Sequence, residues 1–515
     1  MQHLAVELQK IYDALLTNEP IAAKIAETVH PDYQQSAKNL YRYLVLRSFD
    51  LRNIHDRLSE FGISSMRTAE SYVWKNLTNS LRITQLLLGN EWQPDPSVSS
   101  LGYESAKKLL KKHANRLFNP INQKQHTEIM VTMPSEAADN VELLRHLMMA
   151  GMEIARINLS HDNLPVWQKM VDNLHTVSRE LGTPIKIYMD LAGPKIRTGS
   201  IAIKNKKGKI RDAIRITKGE HIVLTNRPTD GKKAVYGEDG KQILHYAEVG
   251  VTLPQIIDDL QIGDPVFFDD GLFEGKVLNK KVLNKNATDI ELVITKAHKK
   301  KLKGEKGINL PETQLRLPAL TEQDLENLPF VSENADIVGY SFVRTAQDVQ
   351  QLYHELAKLG NEDIGVVFKI ENKESFENLA GILIEAMKRP KIGVMIARGD
   401  LAVELGYERI SEVQQQILWF CEAAHVPVIW ATQVLENLAK AGVATRAEVS
   451  DAAMSAHAEC VMLNKGPYIV EAIRMLKQIL VRMEAHGSKK KPTMRALNAA
   501  KGKLAKLQAQ YGVPV

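Results

Sequence analysis

A chain of 515 residues exceeds what one ordinary hydrophobic core organises, so two to four domains are expected. Its apolar, charged, Gly and Pro contents are those of an average globular protein, which excludes a fibrous or wholly disordered chain. The net charge of +6 is local: from Val481 onward eight Lys and Arg face one Glu, a balance of +7 that leaves the preceding 480 residues near −1.

Residues up to about Gln125 carry helical patterning, over Leu4 to Leu16, Tyr33 to Phe61 and Met66 to Leu88. Gly62 suits a helix C-terminal position and Ser65 an N-cap. His55 and Arg57 lie beside apolar stripes and read as parts of a small helical bundle rather than a site. Glu91 to Ser100, rich in Pro and Ser, reads as a linker.

Beyond it the pattern becomes strand and helix in alternation. Candidate strands are Glu128 to Met133, Glu153 to Asn158, Ile185 to Asp190, Asp336 to Phe342, Gly365 to Ile370, Ile392 to Ala397, Val426 to Ala431 and Cys460 to Leu463. Eight such strands with amphipathic crossovers predict an α/β fold, a closed (β/α)8 TIM barrel whose working residues gather at the strand C-terminal ends. Those ends read Thr132; Arg156, Asn158 and Ser160; Asp190; Ser341; Lys369 and Glu371; Arg398 and Asp400; Thr432 and Gln433; and Asn464.

Between Thr198 and about Lys306 the alternation gives way to short β-rich runs with turns at NKKGK, RPTDG, GEDG and FDDGL. This predicts an all-β domain inserted after the third strand, in the position of a lid. The expected organisation is a helical extension over 1–125, the barrel over 126–197 and 307–485, the inserted domain over 198–306, and a basic tail over 486–515. The tail has no aromatic residue among its charges before Tyr511, so no nucleic-acid partner is expected. Cys421 and Cys460 read as core residues, with no redox or zinc spacing. Neither a signal peptide nor a membrane span is found, and a cytoplasmic protein is expected.

Glu371 and Asp400 are carboxylates at adjacent strand ends, a pairing that suits a hard divalent cation such as Mg2+; the alternative is a pair of ion pairs to Lys369 and Arg398. Lys369 beside such a cation would stabilise a phosphoryl group or an enolate, and Arg156 offers a fork that fits phosphate. The backbone of Arg398-Gly399-Asp400 enters a helix-like segment whose N–H groups would hold a carboxylate. Phosphoryl transfer or enolate chemistry on a small anionic substrate is the class these residues fit.

The runs AGMEIARINLSHD, MDLAGPKIRTG, FFDDGL, KGINLP, FKIEN, ARGDLA, ATQVLEN and TRAEVSDAA resemble the pyruvate kinase family in order and spacing, over roughly Thr127 to Leu480. The resemblance implies phosphoryl transfer from phosphoenolpyruvate to ADP, giving ATP and pyruvate, with Mg2+ or Mn2+. It implies Glu371 and Asp400 as metal ligands, Lys369 and Arg156 at the phosphoryl group, and Thr432, Gly399 and Asp400 at the substrate. It further implies Arg197, His161 and Lys306 on the nucleotide side, and Asn158, Ser160, Asp190 and the Leu191 carbonyl at a monovalent-cation position. Lys195 stands where many members have glutamate, and family members with lysine there resemble potassium-independent enzymes. A tethered ammonium near Asp190 would replace K+, so no K+ requirement is expected.

Other departures are Met133-Pro134-Ser135 after the first strand, Ala192 in place of lysine, Val166 in place of a tyrosine, and MLNKGPYIVEA in place of the usual Met-Leu-Ser-Gly-Glu-Thr run. The chain ends about 35 residues past the last barrel helix, so the family's C-terminal effector domain is not expected. The oligomeric state is left open, a homo-oligomer among the options. Two other readings stand beside this one. A lyase handling the same enolates would need no nucleotide lid, and a non-catalytic regulatory relative would not need Lys369, Glu371, Asp400 and Arg156 together.

Overall fold

The computed structural model describes residues 1–64, 66–119, 127–204, 209–237, 243–284, 287–484, 487–488 and 491–492. Ser65, parts of the NKKGK and GEDG turns and nearly all of the basic tail lie outside the described residues.

Five helices come first. In α1 (Gln2–Glu27) the buried residues Leu4, Leu8, Ile11 and Leu15 recur at helical spacing, and the helix continues through Pro20 well beyond the Leu16 expected from its pattern. The stretch from Tyr33 to Phe61 is two helices, α2 (Gln34–Arg47) and α3 (Arg52–Glu60), separated by a short turn in which Asp50 accepts the Arg52 N–H at 3.1 Å. Met66–Thr68 and Glu70–Tyr72 form 3-10 turns before α4 (Val73–Leu87). After an irregular stretch the chain forms α5 (Tyr103–Phe118), which ends on Asn119 in the left-handed region at φ 48°. The sequence pattern did not reveal α5 as a separate element.

The eight barrel strands are β1 (Glu128–Thr132), β2 (Ile154–Asn158), β3 (Lys186–Asp190), β4 (Ile337–Tyr340), β5 (Gly365–Ile370), β6 (Ile392–Ala397), β7 (Val428–Ala431) and β8 (Cys460–Leu463). They pair in chain order, and β8 returns to β1 to close the barrel. The strands are nearly all buried because helices cover their outer face while side chains fill the interior, which is why they read as continuous apolar runs. β7 starts two residues later than its pattern predicts, since Pro427 has no N–H for the ladder.

Between β3 and β4 lies a six-stranded sheet whose strands, in spatial order, are Ala247–Gly250, His221–Thr225, Ala287–Ala297, Phe273–Asn284, Pro265–Phe268 and Ile308–Asn309. It has its own core, including Ile222, Leu224, Phe268, Phe273 and Leu292. Two chain segments connect it to the barrel, and they cross-link: Arg197 bridges Gly307, and the Thr198 N–H donates to the Lys306 carbonyl at 2.8 Å.

The extension packs on the barrel. Leu117 and Phe118, at the end of α5, join a cluster with Met130, Ile154, Tyr188, Val367 and Met395, residues of five barrel strands. Gly365 and Gly393, near the starts of β5 and β6, make room for this plug: a Cβ on either would stand 2.7 Å from a Leu117 methyl. Buried polar ties reinforce it. Asn39 donates to the Ala423 carbonyl at 2.8 Å, and a His113 ring nitrogen is 2.7 Å from the His425 carbonyl. Cys421 and Cys460 are buried and unbridged. Among the described residues no helix is long and apolar enough to cross a membrane.

Candidate active site

Burial at the C-terminal ends of β2 to β5 forces charges to pair. The Arg156 guanidinium donates through Nε to Asp190 Oδ2 at 2.7 Å and through Nη2 to the same oxygen, while Nη1 donates to Thr132 Oγ1 at 2.9 Å. Asp190 is fully buried; burial would raise its carboxyl, but Arg156 and then Lys369 outweigh that and hold it below the usual range. Its Oδ1 and the Tyr188 hydroxyl fill space that a Cβ at Gly339 would occupy, each 2.1 Å from that point. Lys369 Nζ donates to Ser341 Oγ at 2.8 Å and lies 3.6 Å from both Asp190 and Glu371. Burial opposes its charge, yet Asp190 and Glu371 outweigh burial and keep its pKa above the ordinary lysine value.

Glu371 is buried with one oxygen accepting the Phe342 N–H at 2.6 Å. Burial first, and the charge of Asp400 in addition, push its carboxyl up despite Lys369. Asp400 lies in the first turn of the helix Arg398–Leu405, which begins directly where β6 ends. The two carboxylates line one cleft with Lys195, Phe342 and Asn309. Two acidic oxygen donors that repel one another in a sheltered cleft fit a hard divalent cation, which would relieve both. Among the described residues no set of three or more His, Cys, Asp or Glu gathers as a metal cluster, so the fit is to a cation sharing its shell with other oxygens.

Arg398 does not pair with these carboxylates as the alternative reading required. It pairs with Asp451, donates to the Ala431 carbonyl at 2.9 Å, and lies over the Trp430 ring with 4.8 Å to the centroid. That anchorage fixes the turn bearing Gly399 and Asp400. Gly399 faces Thr432, whose side chain would lie 3.8 Å from a Cβ there. Thr432 holds φ at 66°, a costly conformation for a β-branched residue, and its hydroxyl is buried without a hydrogen-bond partner among the described residues.

A second cavity, of about 240 Å3, opens beside Arg156 and is lined by His161, Asn158, Asn464, Lys440 and Lys465. Burial chiefly, then Lys465 and Arg197, hold the His161 imidazole below its ordinary pKa. Arg197 donates to the Glu305 carbonyl at 3.3 Å, and Lys306 Nζ pairs with Asp269 at 3.0 Å. Of the three nucleotide-side residues named from the sequence, His161 lines this cavity, whereas Arg197 and Lys306 are tied at the crossing to the inserted sheet. Asn158 Oδ1 accepts the Ser160 N–H at 3.2 Å, and the Leu191 N–H donates to the Gly339 carbonyl at 3.0 Å. Lys195 departs from expectation. Its Nζ is 2.7 and 2.8 Å from the two oxygens of Asp400, while the partners of Asp190 are Arg156 and Lys369.

Three residues were not singled out beforehand. Glu404 sits one helical turn after Asp400, accepts from Asn309 at 3.0 Å, and is pushed up to about 7 by burial, with Asp400 adding to the rise. Its i+4 spacing from Asp400 was the available signal. Lys440 and Lys465 meet in the second cavity because the short loop after β8 folds onto the helix Glu436–Ala441: the Tyr468 N–H donates to the Ala439 carbonyl at 3.0 Å, and a Cβ at Gly466 would lie 2.2 Å from that oxygen.

A family model described as "Pyruvate kinase, barrel domain" matches residues 124–473. Pyruvate kinase 2 and pyruvate kinase 1 of Trypanosoma brucei brucei are each 33% identical over 376 residues, covering 72% of this chain and 69% of theirs. The pyruvate kinase of Staphylococcus haemolyticus (strain JCSC1435) is 32% identical over 372 residues, 71% of this chain and 58% of its own.

Proposed function

The chain belongs to the pyruvate kinase family, and from that premise we propose that it transfers the phosphoryl group of phosphoenolpyruvate to ADP and protonates the resulting enolate to pyruvate. The observation that carries this reading is the group formed by Arg156, Lys369, Glu371, Asp400 and Thr432 around one barrel mouth, beside a cavity lined with cationic side chains. We read the activity as a cytoplasmic step of glycolysis without a nucleic-acid partner; among the described residues no helix is long and apolar enough to cross a membrane.

In this reading the substrate phosphoryl group lies against Arg156 and Lys369. Asp190 holds the Arg156 fork through Nε and Nη2, so no reorganisation is needed when charge develops. Glu371 and Asp400 would hold Mg2+ or Mn2+, which would supply Lewis-acid charge to the substrate oxygens. As the bond from phosphorus to the enol oxygen breaks and one to a terminal ADP oxygen forms, Lys369 Nζ stabilises the negative charge left on the enol oxygen. The N–H groups of Gly399 and Asp400, in the first turn of their helix, receive the substrate carboxylate. Thr432 Oγ1, buried and unpartnered, is the atom through which a proton reaches the methylene carbon.

The ADP phosphates are assigned to the second cavity, where His161, Lys440 and Lys465 would meet them, while Arg197 and Lys306 lie at the crossing to the inserted sheet. K+ is not required, because Asp190 is already neutralised by Arg156 and Lys369 and because Lys195 keeps a tethered cation in the mouth. The test is pyruvate formation from phosphoenolpyruvate, ADP and Mg2+, in K+ and in tetramethylammonium salts, comparing the wild type with Lys369→Met. Equal activity in both salts and a loss of about 10²-fold or more in the variant are expected. No pyruvate from the wild type would reject the reading, and dependence on K+ would reject its potassium clause.

A further inference from the structure

The ion pair between Lys195 and Asp400 carries an inference of its own. Both Asp400 oxygens lie within 2.8 Å of one ammonium, and the pair is half sheltered, with 28% of the Lys195 side chain and 18% of the Asp400 side chain exposed. An ammonium that close to both oxygens occupies the space from which a cation would approach that carboxylate. The other carboxylate of the cleft, Glu371, has no such competitor: one of its oxygens takes the Phe342 N–H, and Lys369 stands 3.6 Å away while donating to Ser341.

We propose that Lys195 is a tethered counter-ion for Asp400 which a divalent cation must displace, so that this protein holds its metal more weakly than the same carboxylates would without the lysine. This rests on the reading of Glu371 and Asp400 as metal ligands. The chemistry is an exchange of one cation for another at a single carboxylate, with no bond made or broken in the protein. The displaced ammonium stays in the cleft, because its Nζ is already 5.9 Å from the centroid of the Phe342 ring, a face that attracts cations.

Mn2+ binding to the full-length protein without substrates, followed by electron paramagnetic resonance of the free ion, tests this in the wild type, Lys195→Met, Lys195→Arg and Asp400→Asn. Removing one adjacent positive charge should tighten Mn2+ binding about tenfold in Lys195→Met, while Lys195→Arg binds as the wild type or more weakly and Asp400→Asn loses affinity. A second readout is the 13C NMR shift of reductively methylated Lys195, which should move on Mn2+-free titration with Mg2+ as the ammonium leaves the carboxylate. If Asp400→Asn loses binding while Lys195→Met binds no more tightly than wild type, the counter-ion role is wrong and the metal site stands. If Asp400→Asn binds as well as wild type, both are wrong.

Discussion

Leu117 is the point at which the N-terminal helices enter the barrel, and it supports a quantitative prediction. The side chain is 2% exposed, and its two methyls lie where Cβ atoms on Gly365 and Gly393 would each come within 2.7 Å. Leu117→Ala removes these methyls from a closed site and should cost about 2–5 kcal/mol. Gly365→Ala overpacks the same site and should cost about 1–3 kcal/mol, since Leu117 cannot retreat into the filled interior. The double variant should not cost the sum. With the Leu117 methyls gone, the new Cβ enters vacated space, and the coupling should be at least about 1 kcal/mol in favour of the double variant. Gly365 also faces the Asp336 carbonyl and Ile337 at 3.3 Å, so relief is partial. Equilibrium urea unfolding of the four proteins, followed by tryptophan fluorescence, measures the cycle. Additive costs within about 0.5 kcal/mol would refute the plug.

Two further predictions concern single atoms. Thr432→Val keeps the shape of the side chain and deletes an unpartnered buried hydroxyl, so stability should be unchanged or higher. Exchange of the pyruvate methyl protons with D2O, read by NMR, should meanwhile slow by about 10²-fold; an unchanged exchange rate removes Thr432 from the proton path. At the opposite end of the barrel, burial and then the Glu153 carboxyl push Glu128 up to about 9. With the folded value above the unfolded one, stability from this group is full below about pH 4.5 and is lost as pH rises through about 9. Glu128→Gln, neutral throughout, should therefore gain in melting temperature over the wild type steadily between pH 5 and 9, and parallel pH curves would contradict this.

The barrel was legible because its strands are covered on both faces. β5, β6 and β8 read directly as apolar runs bounded by polar residues, and polar groups at every strand end pointed to the mouth. What could not be read was contact between distant segments. Lys195 was expected near Asp190, but sequence order does not say which of two carboxylates a flexible side chain reaches, and it reaches Asp400. Lys465 was hidden for a similar reason, since its direction is set by Gly466 meeting the Ala439 carbonyl, a contact between neighbouring loops. α5 was lost between a recognised linker and the first strand: Ala106, Leu110, His113 and Leu117 recur at the same helical spacing as the buried residues of α1, but a small alanine and a polar histidine at two of the four positions leave the stripe weakly apolar. The glycines at the strand starts, far along the chain, are what make room for Leu117 at its end.

The way the extension is fastened also sets an order on folding during synthesis. Its buried ties are remote: Asn39 binds the carbonyl of Ala423, 384 positions later, and His113 that of His425, 312 positions later. At roughly 5–20 residues per second the ribosome needs about 15–80 s to make the partners of these groups. Until the later strands are made, the face that will meet the barrel, with Leu117 and Phe118 at its tip, is only partly covered. Helices made before the barrel are thus among the last elements to be sealed, and chaperone demand should fall on residues 1–119 rather than on the barrel they pack against.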